Sequence, residues 1–344
     1  MRFSEDKKQA VIRYILEKIT QFDPHLTKSV SQAMSINQNT VHSYITELIE
    51  QGTIRRTKRG QYELVSRKFG VTLKRSNGDM DSDLYAYQQY LAPLLREYPK
   101  NVQRIWEYAF SEMFNNVMDH SLAEEAYILI VQDAINTAVS ITDNGVGIFR
   151  KIQAYFGYPS AEDAICELFK GKLTTDAVNH SGEGIFFSSR MMDDFFIFSD
   201  DKVFCIDKYE ESVLMDMGAF PASGTCVFMR LSNTSRKEAS EIFDRYADMD
   251  SGFTKTVIPL KNIFDSSPVS RSQAKRICNG MERFEEVTLD FDGLDWMGQG
   301  FAHQLFVVFA REHPEIRLLP VNMNAAVEKM HRHVLSGEEK KPCK

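Results

Sequence analysis

The sequence predicts a multidomain α/β protein in three parts, and three observations lead there. Helical periodicity fills residues 4–51 and ends at a short basic hairpin. A long amphipathic helix, then apolar alternation broken by glycine-rich turns, occupies the middle. Strand–helix–strand–helix alternation closes the chain. The expected boundaries are 1–68 (helices and a hairpin), 80–235 (mixed helices and strands) and 253–335 (a small α/β domain). With 344 residues, 43% apolar and 26% charged, there is material for several cores, and a disordered chain is excluded.

In the head, Ser4-Glu5-Asp6 precedes Val11, Ile12, Ile15, Leu16 and Ile19 at helical spacing, a capped helix start. A second helix fits 27–34. A third fits 38–51, burying Val41, Tyr44, Ile45, Leu48 and Ile49, with Gly52 at its stop. Residues 53–65 then read as a hairpin carrying Arg55, Arg56, Lys58 and Arg59, with Gly60 at its tip.

The net charge of −7 speaks against a nucleic-acid partner until its distribution is read. Residues 1–68 carry 12 Lys+Arg against 7 Asp+Glu, whereas residues 69–344 carry 29 against 41. A basic head on an acidic body suits a chain whose head alone meets phosphate. Three helices followed by a basic hairpin resemble the winged helix-turn-helix fold. The resemblance implies DNA as partner, with the third helix in the major groove. Gln38, Asn39, Thr40, His42 and Ser43 are then the candidates for base or phosphate contact, though for His42 a surface hydrogen bond is the plainer role. Arg55, Arg56, Lys58 and Arg59 would grip the DNA backbone. Use of the same fold for protein contact stays open.

After a polar junction at 69–82, helices are expected at about 83–97 and 101–121. On the second, Phe110, Phe114 and Val117 form an apolar stripe. Glu112, Asn116 and His120 recur at i, i+4, i+8 on another face, with Asp119 beside them. A carboxylate, an amide and an imidazole so stacked can hold hydrated Mg²⁺ and orient a nucleophile. Strands follow at 127–131 and 137–142, the second running into Asp143-Asn144-Gly145-Val146-Gly147. The glycines let backbone approach a ligand, and an aspartate at a strand end can accept a hydrogen bond from an exocyclic amine. His180-Ser181-Gly182-Glu183-Gly184 opens a helix over 185–192, whose first N–H groups form an anion site. Gly224-Thr225 precedes a strand at 226–231.

In this order the pieces resemble the GHKL ATPase superfamily over roughly residues 80–235. Glu112 and Asn116 match its E-x-x-x-N box, and Asp143, Gly145 and Gly147 match D-x-G-x-G. Gly182 and Gly184 match the second glycine box, and Gly224-Thr225 the late G-T element. The resemblance implies the Bergerat α/β sandwich with ATP and Mg²⁺ as cofactors. Asp143 would bind the adenine amine, Asn116 the Mg²⁺, and Gly182 and Gly184 the phosphates. Glu112 would be the catalytic group, Thr225 would support Asp143 through its hydroxyl or a water, and His120 resembles the closing histidine of the box in anti-sigma-factor serine kinases. Residues 155–181 would form a lid, offering Lys170 and Lys172 to the γ-phosphate. Ile185-Phe186-Phe187 stands where further glycines are usual, which implies a tighter phosphate loop. No phosphoacceptor histidine box precedes the region, so a sensor histidine kinase is not expected.

In the last third, strands are expected at 254–259, 287–291 and 316–320, and helices at 272–283, 301–312 and 324–335. Residues 269–277 and 289–306 resemble the STAS-like domain found beside GHKL ATPases, which implies a protein partner. The turn Met297-Gly298-Gln299-Gly300 lacks the serine that anti-sigma antagonists phosphorylate, so phosphotransfer onto it is not expected. Trp296 and Phe301 are expected in the core, and Arg271 and Lys275 on the surface.

The function expected is an Mg·ATP-dependent, DNA-binding transcriptional regulator with slow hydrolysis. The alternatives are a serine/threonine kinase acting on a separate partner and a non-catalytic nucleotide sensor or scaffold. No apolar run reaches the roughly 18–20 residues of a membrane span, and the acidic start MRFSEDKKQAV is not expected to be a secretory signal. Five scattered cysteines without C-x-x-C argue against a disulfide framework and a zinc site. A cytoplasmic location is expected, and homodimer pairing is left open.

Overall fold

The computed structural model describes residues 4–173, 182–206, 223–248, 252–264 and 266–338. At the N-terminus, α1 (Glu5–Thr20), α2 (Leu26–Met34) and α3 (Gln38–Glu50) are followed by an antiparallel hairpin of β1 (Ile54–Lys58) and β2 (Gln61–Leu64). Ser4 caps α1, and the Asn37 side chain caps α3 by accepting the Asn39 N–H at 2.8 Å. Val11, Ile15, Val30, Val41, Ile45, Leu48 and Ile54 share a core of their own. Ile49, expected inside, is 39% exposed, because it stands one residue round the helix from the Val41–Ile45–Leu48 stripe.

The middle of the chain builds a six-stranded, wholly antiparallel sheet. Its strands are β3 (Arg67–Lys74), β4 (Glu125–Gln132), β5 (Asn136–Asp143), β6 (Asp194–Ser199), β7 (Lys202–Cys205) and β8 (Thr225–Ser232), in the order β3-β4-β5-β8-β6-β7. β3 corrects the expected junction at 69–82. It pairs along its whole length with β4, and Lys74 and Glu125 close the end with a 2.8 Å ion pair. The apolar signal is weak because β3 is an edge strand. It buries only Leu73 and carries lysine, which guards an open edge against further pairing.

Helices α4 (Asp83–Ala86, continued by tighter and wider turns to Leu95), α5 (Lys100–His120), α6 (Ile148–Phe156), α7 (Ala161–Lys170) and α8 (Gly184–Met191) complete this part. Period-2 alternation sends Ile128, Ile130, Val139, Ile141, Val227 and Met229 into one core with Phe110 and Phe114 of α5. Phe196, Phe198, Cys226 and Phe228 form a smaller cluster of their own.

α9 (Ala239–Tyr246) and the short pair β9 (Ala247–Asp248) and β10 (Gly252–Phe253) lead to a parallel three-stranded sheet. Here β11 (Lys255–Pro259), β12 (Glu286–Asp290) and β13 (Arg317–Val321) alternate with α10 (Leu260–Ile263), α11 (Arg271–Cys278), α12 (Gln299–His303, continuing to Glu312) and α13 (Ala325–Glu338). Parallel neighbours need crossover connections, which the helices provide. Phe301 is fully buried as expected, but Trp296 is 47% exposed, in the turn between β12 and α12. The backbone of that turn is tied elsewhere, Asn324 Nδ2 donating to the carbonyls of Leu294 and Asp295. Among the described residues no helix is long and apolar enough to cross a membrane.

Candidate functional site

A cavity of about 240 Å³ opens where the C-terminal half of α5 meets the end of β5, the starts of β8, α6 and α8, and the end of α7. Glu112, Asn116 and His120 all line it, because four-residue spacing keeps them on one side of α5 while Phe110, Phe114 and Val117 are buried. Asp143, Gly147, Gly182, Gly184 and Thr225 line it too. Gly184 starts α8 directly against the Glu112 carboxylate, and a Cβ there would overlap that carboxylate. Only glycine lets a helix N-terminus sit so close.

Asp143, the last residue of β5, is 4% exposed. Its Oδ1 accepts the Gly145 N–H at 2.8 Å, so Gly145 holds the carboxylate rather than lining the cavity. Burial pushes the Asp143 carboxyl above the usual carboxylate range, opposed by N–H donors from Gly145 and Thr225. The Thr225 Oγ1 accepts the Ile148 N–H at 3.0 Å and so pins the start of α6, while the Thr225 backbone N–H donates to Asp143.

Neither expected lid lysine reaches the cavity. Leu168, Gly171 and Leu173 turn toward it, which leaves Lys170 and Lys172 on the opposite side of the same segment. Lys170 is fully buried, with Nζ bonded to Glu167, and Lys172 Nζ donates to the Arg283 carbonyl at 3.1 Å. Of the expected lid, residues 161–170 form α7, closed at its start by a Ser160–Asp163 capping box. Residues 174–181, with His180 and Ser181 of the glycine box, lie outside the described residues.

The lysine that does line the cavity is Lys151 of α6, which sequence reasoning passed over. Its Nζ donates to the His120 carbonyl at 2.6 Å, and burial lowers its pKa against the raising influence of Asp119. The available signal was its place one helical turn after Gly147, between the apolar Ile148 and Ile152.

Among the described residues no group of three or more His, Cys, Asp or Glu side chains could hold a metal ion. Glu112 and Asn116 offer one carboxylate and one amide, which fits an ion that takes its other ligands from phosphate and water, as Mg²⁺ does. Far from the cavity in sequence, Gln38, Asn39, His42 and Ser43 are exposed on the first half of α3, and Thr40 is half-buried. Arg55, Arg56, Lys58 and Arg59 are exposed on the hairpin, but Arg55 is ion-paired with Glu63, its cross-strand neighbour.

No curated protein matches the chain. Residues 273–328, from within α11 to within α13, match the family model described as a STAS-like domain of unknown function (DUF4325). The C-terminal part of this protein therefore carries a STAS-like domain.

Proposed function

We propose that the cavity binds Mg·ATP and that the protein is an ATP-dependent, DNA-binding regulator with slow hydrolysis. The observation that carries the reading is the convergence of Glu112, Asn116, Asp143, Gly147, Gly182, Gly184 and Thr225 on one cavity, in the order in which the GHKL resemblance would use them. Asp143, buried and held by the Gly145 N–H, is the acceptor for the adenine amine. The opposite end is set by Glu112 and Gly184. Glu112 and His120 stand eight steps apart along α5, a span of about 12 Å at the helical rise, which suits an extended nucleotide. Asn116 would hold Mg²⁺, which when bound neutralises phosphate charge. Glu112, beside the α8 N-terminus, orients the attacking water, and Lys151, held at the His120 end of that span, is the cation for the α-phosphate. The exposed half of α3 and the basic hairpin meet DNA, and nucleotide occupancy biases that contact.

Titration calorimetry with ATP and Mg²⁺ tests the reading. Micromolar to millimolar binding is expected, and absence of heat at millimolar ATP would sink it. With γ-labelled ATP in cell lysate, label released as free phosphate fits the regulator. Label carried on another protein would replace it with the kinase.

A further inference from the structure

Resting on the nucleotide reading of the cavity and deepening it, we infer that the STAS-like domain clasps one wall of that cavity and thereby sets its affinity. The wall is residues 167–173. Leu168, Gly171 and Leu173 face the cavity, and the Leu173 N–H donates to the Gly182 carbonyl at 3.2 Å, joining the wall to the second glycine box. The other side is gripped by the segment from α11 to the turn before β12. Glu167 Oε1 accepts from Lys170 Nζ at 2.6 Å and from Asn279 Nδ2 at 3.2 Å, while Oε2 accepts from Arg283 Nη2. Lys170 Nζ also donates to the carbonyls of Arg276 and Asn279. Lys172 and Arg283 each donate to the other's carbonyl, at 3.1 and 2.9 Å. Thr256 of β11 donates its hydroxyl to the Lys170 carbonyl at 2.7 Å.

The chemistry of this clasp is not what stability alone selects. The Lys170 and Glu167 side chains are 0% and 2% exposed, and desolvating such a pair costs about as much as its attraction returns. Apolar side chains would hold two surfaces together at least as well. What the pair adds is register. The ammonium has three donors and three acceptors, and two of those acceptors are carbonyls of the STAS-like side, so it is satisfied in one docked position only. Gly280 is built around the contact. Its φ is +75°, and a Cβ there would fall 2.6 Å from Glu167 Oε2 and onto the Arg283 guanidinium. A second grip lies alongside. Phe253 packs on Phe186 of α8 at 4.5 Å between ring centroids, and Arg190 stacks on Phe186 and donates to the Val257 carbonyl at 3.3 Å. Both elements that bound the glycine-box end of the cavity are thus held from the C-terminal side. Docking of that side and occupancy of the cavity are one linked equilibrium, and the linkage is reciprocal.

Arg283 does not line the cavity, so it acts as a positioning residue. In the 344-residue chain, Arg283→Ala is expected to weaken Mg·ATP binding about tenfold by calorimetry, within the usual range of coupling between sites. Arg283→Lys should restore part of the loss, and Thr256→Val, which removes one hydroxyl without orphaning a charge, should shift affinity the same way by a smaller factor. Reciprocally, saturating Mg·ATP should slow amide exchange over 276–284. A folded Arg283→Ala with wild-type affinity, or unchanged exchange over 276–284 in ATP-saturated wild type, overturns the inference. If the wild type binds no ATP, the nucleotide reading falls by itself. Amide exchange over 168–173 without ligand then decides the clasp: faster exchange in Arg283→Ala and in Thr256→Val upholds it, and unchanged exchange overturns it.

Discussion

Asp143→Asn is expected to separate what the cavity binds from what keeps it folded. The carboxyl is 4% exposed, and burial raises its pKa above the ordinary aspartate value of 3.8. An acid whose folded pKa exceeds its unfolded one binds more protons in the folded state. Stability therefore falls as pH rises from 3.8 through the folded pKa. Above that window the ionised carboxylate is a destabilising group. Asparagine is its neutral near-isostere, and its Oδ1 can keep the Gly145 N–H bond. The variant should be more stable, by about 0.5–2 kcal/mol if it behaves as a typical single stabilising substitution. For a unit of this size that is about 2–4 °C in Tm per kcal/mol. The gain should vanish below pH 3.8, where the aspartate is protonated in both states.

For the ligand the same change acts in the opposite direction. An amide oriented to keep Gly145 turns its NH₂ toward the adenine amine, donor against donor. A lost hydrogen bond to a charged acceptor is worth about 1.5–3 kcal/mol, and a buried unsatisfied donor about 1–3 more. Together they weaken ATP by roughly sixtyfold at least, since 1.4 kcal/mol is tenfold. Scanning calorimetry between pH 3 and 8 and titration with ATP measure both effects. A lower Tm at neutral pH refutes the burial argument, and unchanged ATP affinity refutes the assignment of Asp143 to adenine.

Lys151→Met should weaken AMP and ATP by about 10–100-fold, the loss of one charge-assisted hydrogen bond, while leaving adenosine within about twofold. Equal losses for all three would make Lys151 only the cap of α5 that its bond to the His120 carbonyl also allows. Lys170→Met should destabilise by about 1.5–3 kcal/mol, because it strips a buried carboxylate of its ammonium partner and leaves Arg283 as its remaining cation. Denaturant unfolding that shows the variant within about 0.5 kcal/mol of wild type would refute the pairing. On the hairpin, Lys58→Ala and Arg59→Ala should each flatten the salt dependence of DNA binding by about one unit of slope. Arg55→Ala should flatten it less, because Glu63 already neutralises that guanidinium, and equal slopes for all three would refute the distinction.

The parts of the site that were legible are those fixed by local periodicity. Glu112, Asn116 and His120 fall on one face of α5 because 3.6 residues per turn leave no other arrangement once Phe110, Phe114 and Val117 go inside. Asp143 ends a strand and Gly184 starts a helix for similarly local reasons. β3 was hidden because an edge strand buries one side chain in eight and so carries little alternation. The lysines were hidden for a different reason. Residues 167–173 show which groups are present but not which side of the segment meets which neighbour. That choice is made by carbonyls 106 to 111 residues downstream, in a part of the chain that reads as a separate domain. A lysine beside such a cavity can serve a ligand's phosphate or backbone oxygens, and local sequence cannot rank the two. Here the oxygens of the STAS-like side hold Lys170 and Lys172, and the cavity is left with Lys151. A segment whose basic residues are spent on another domain moves only as that domain moves, so the STAS-like domain acts as part of the cavity's wall.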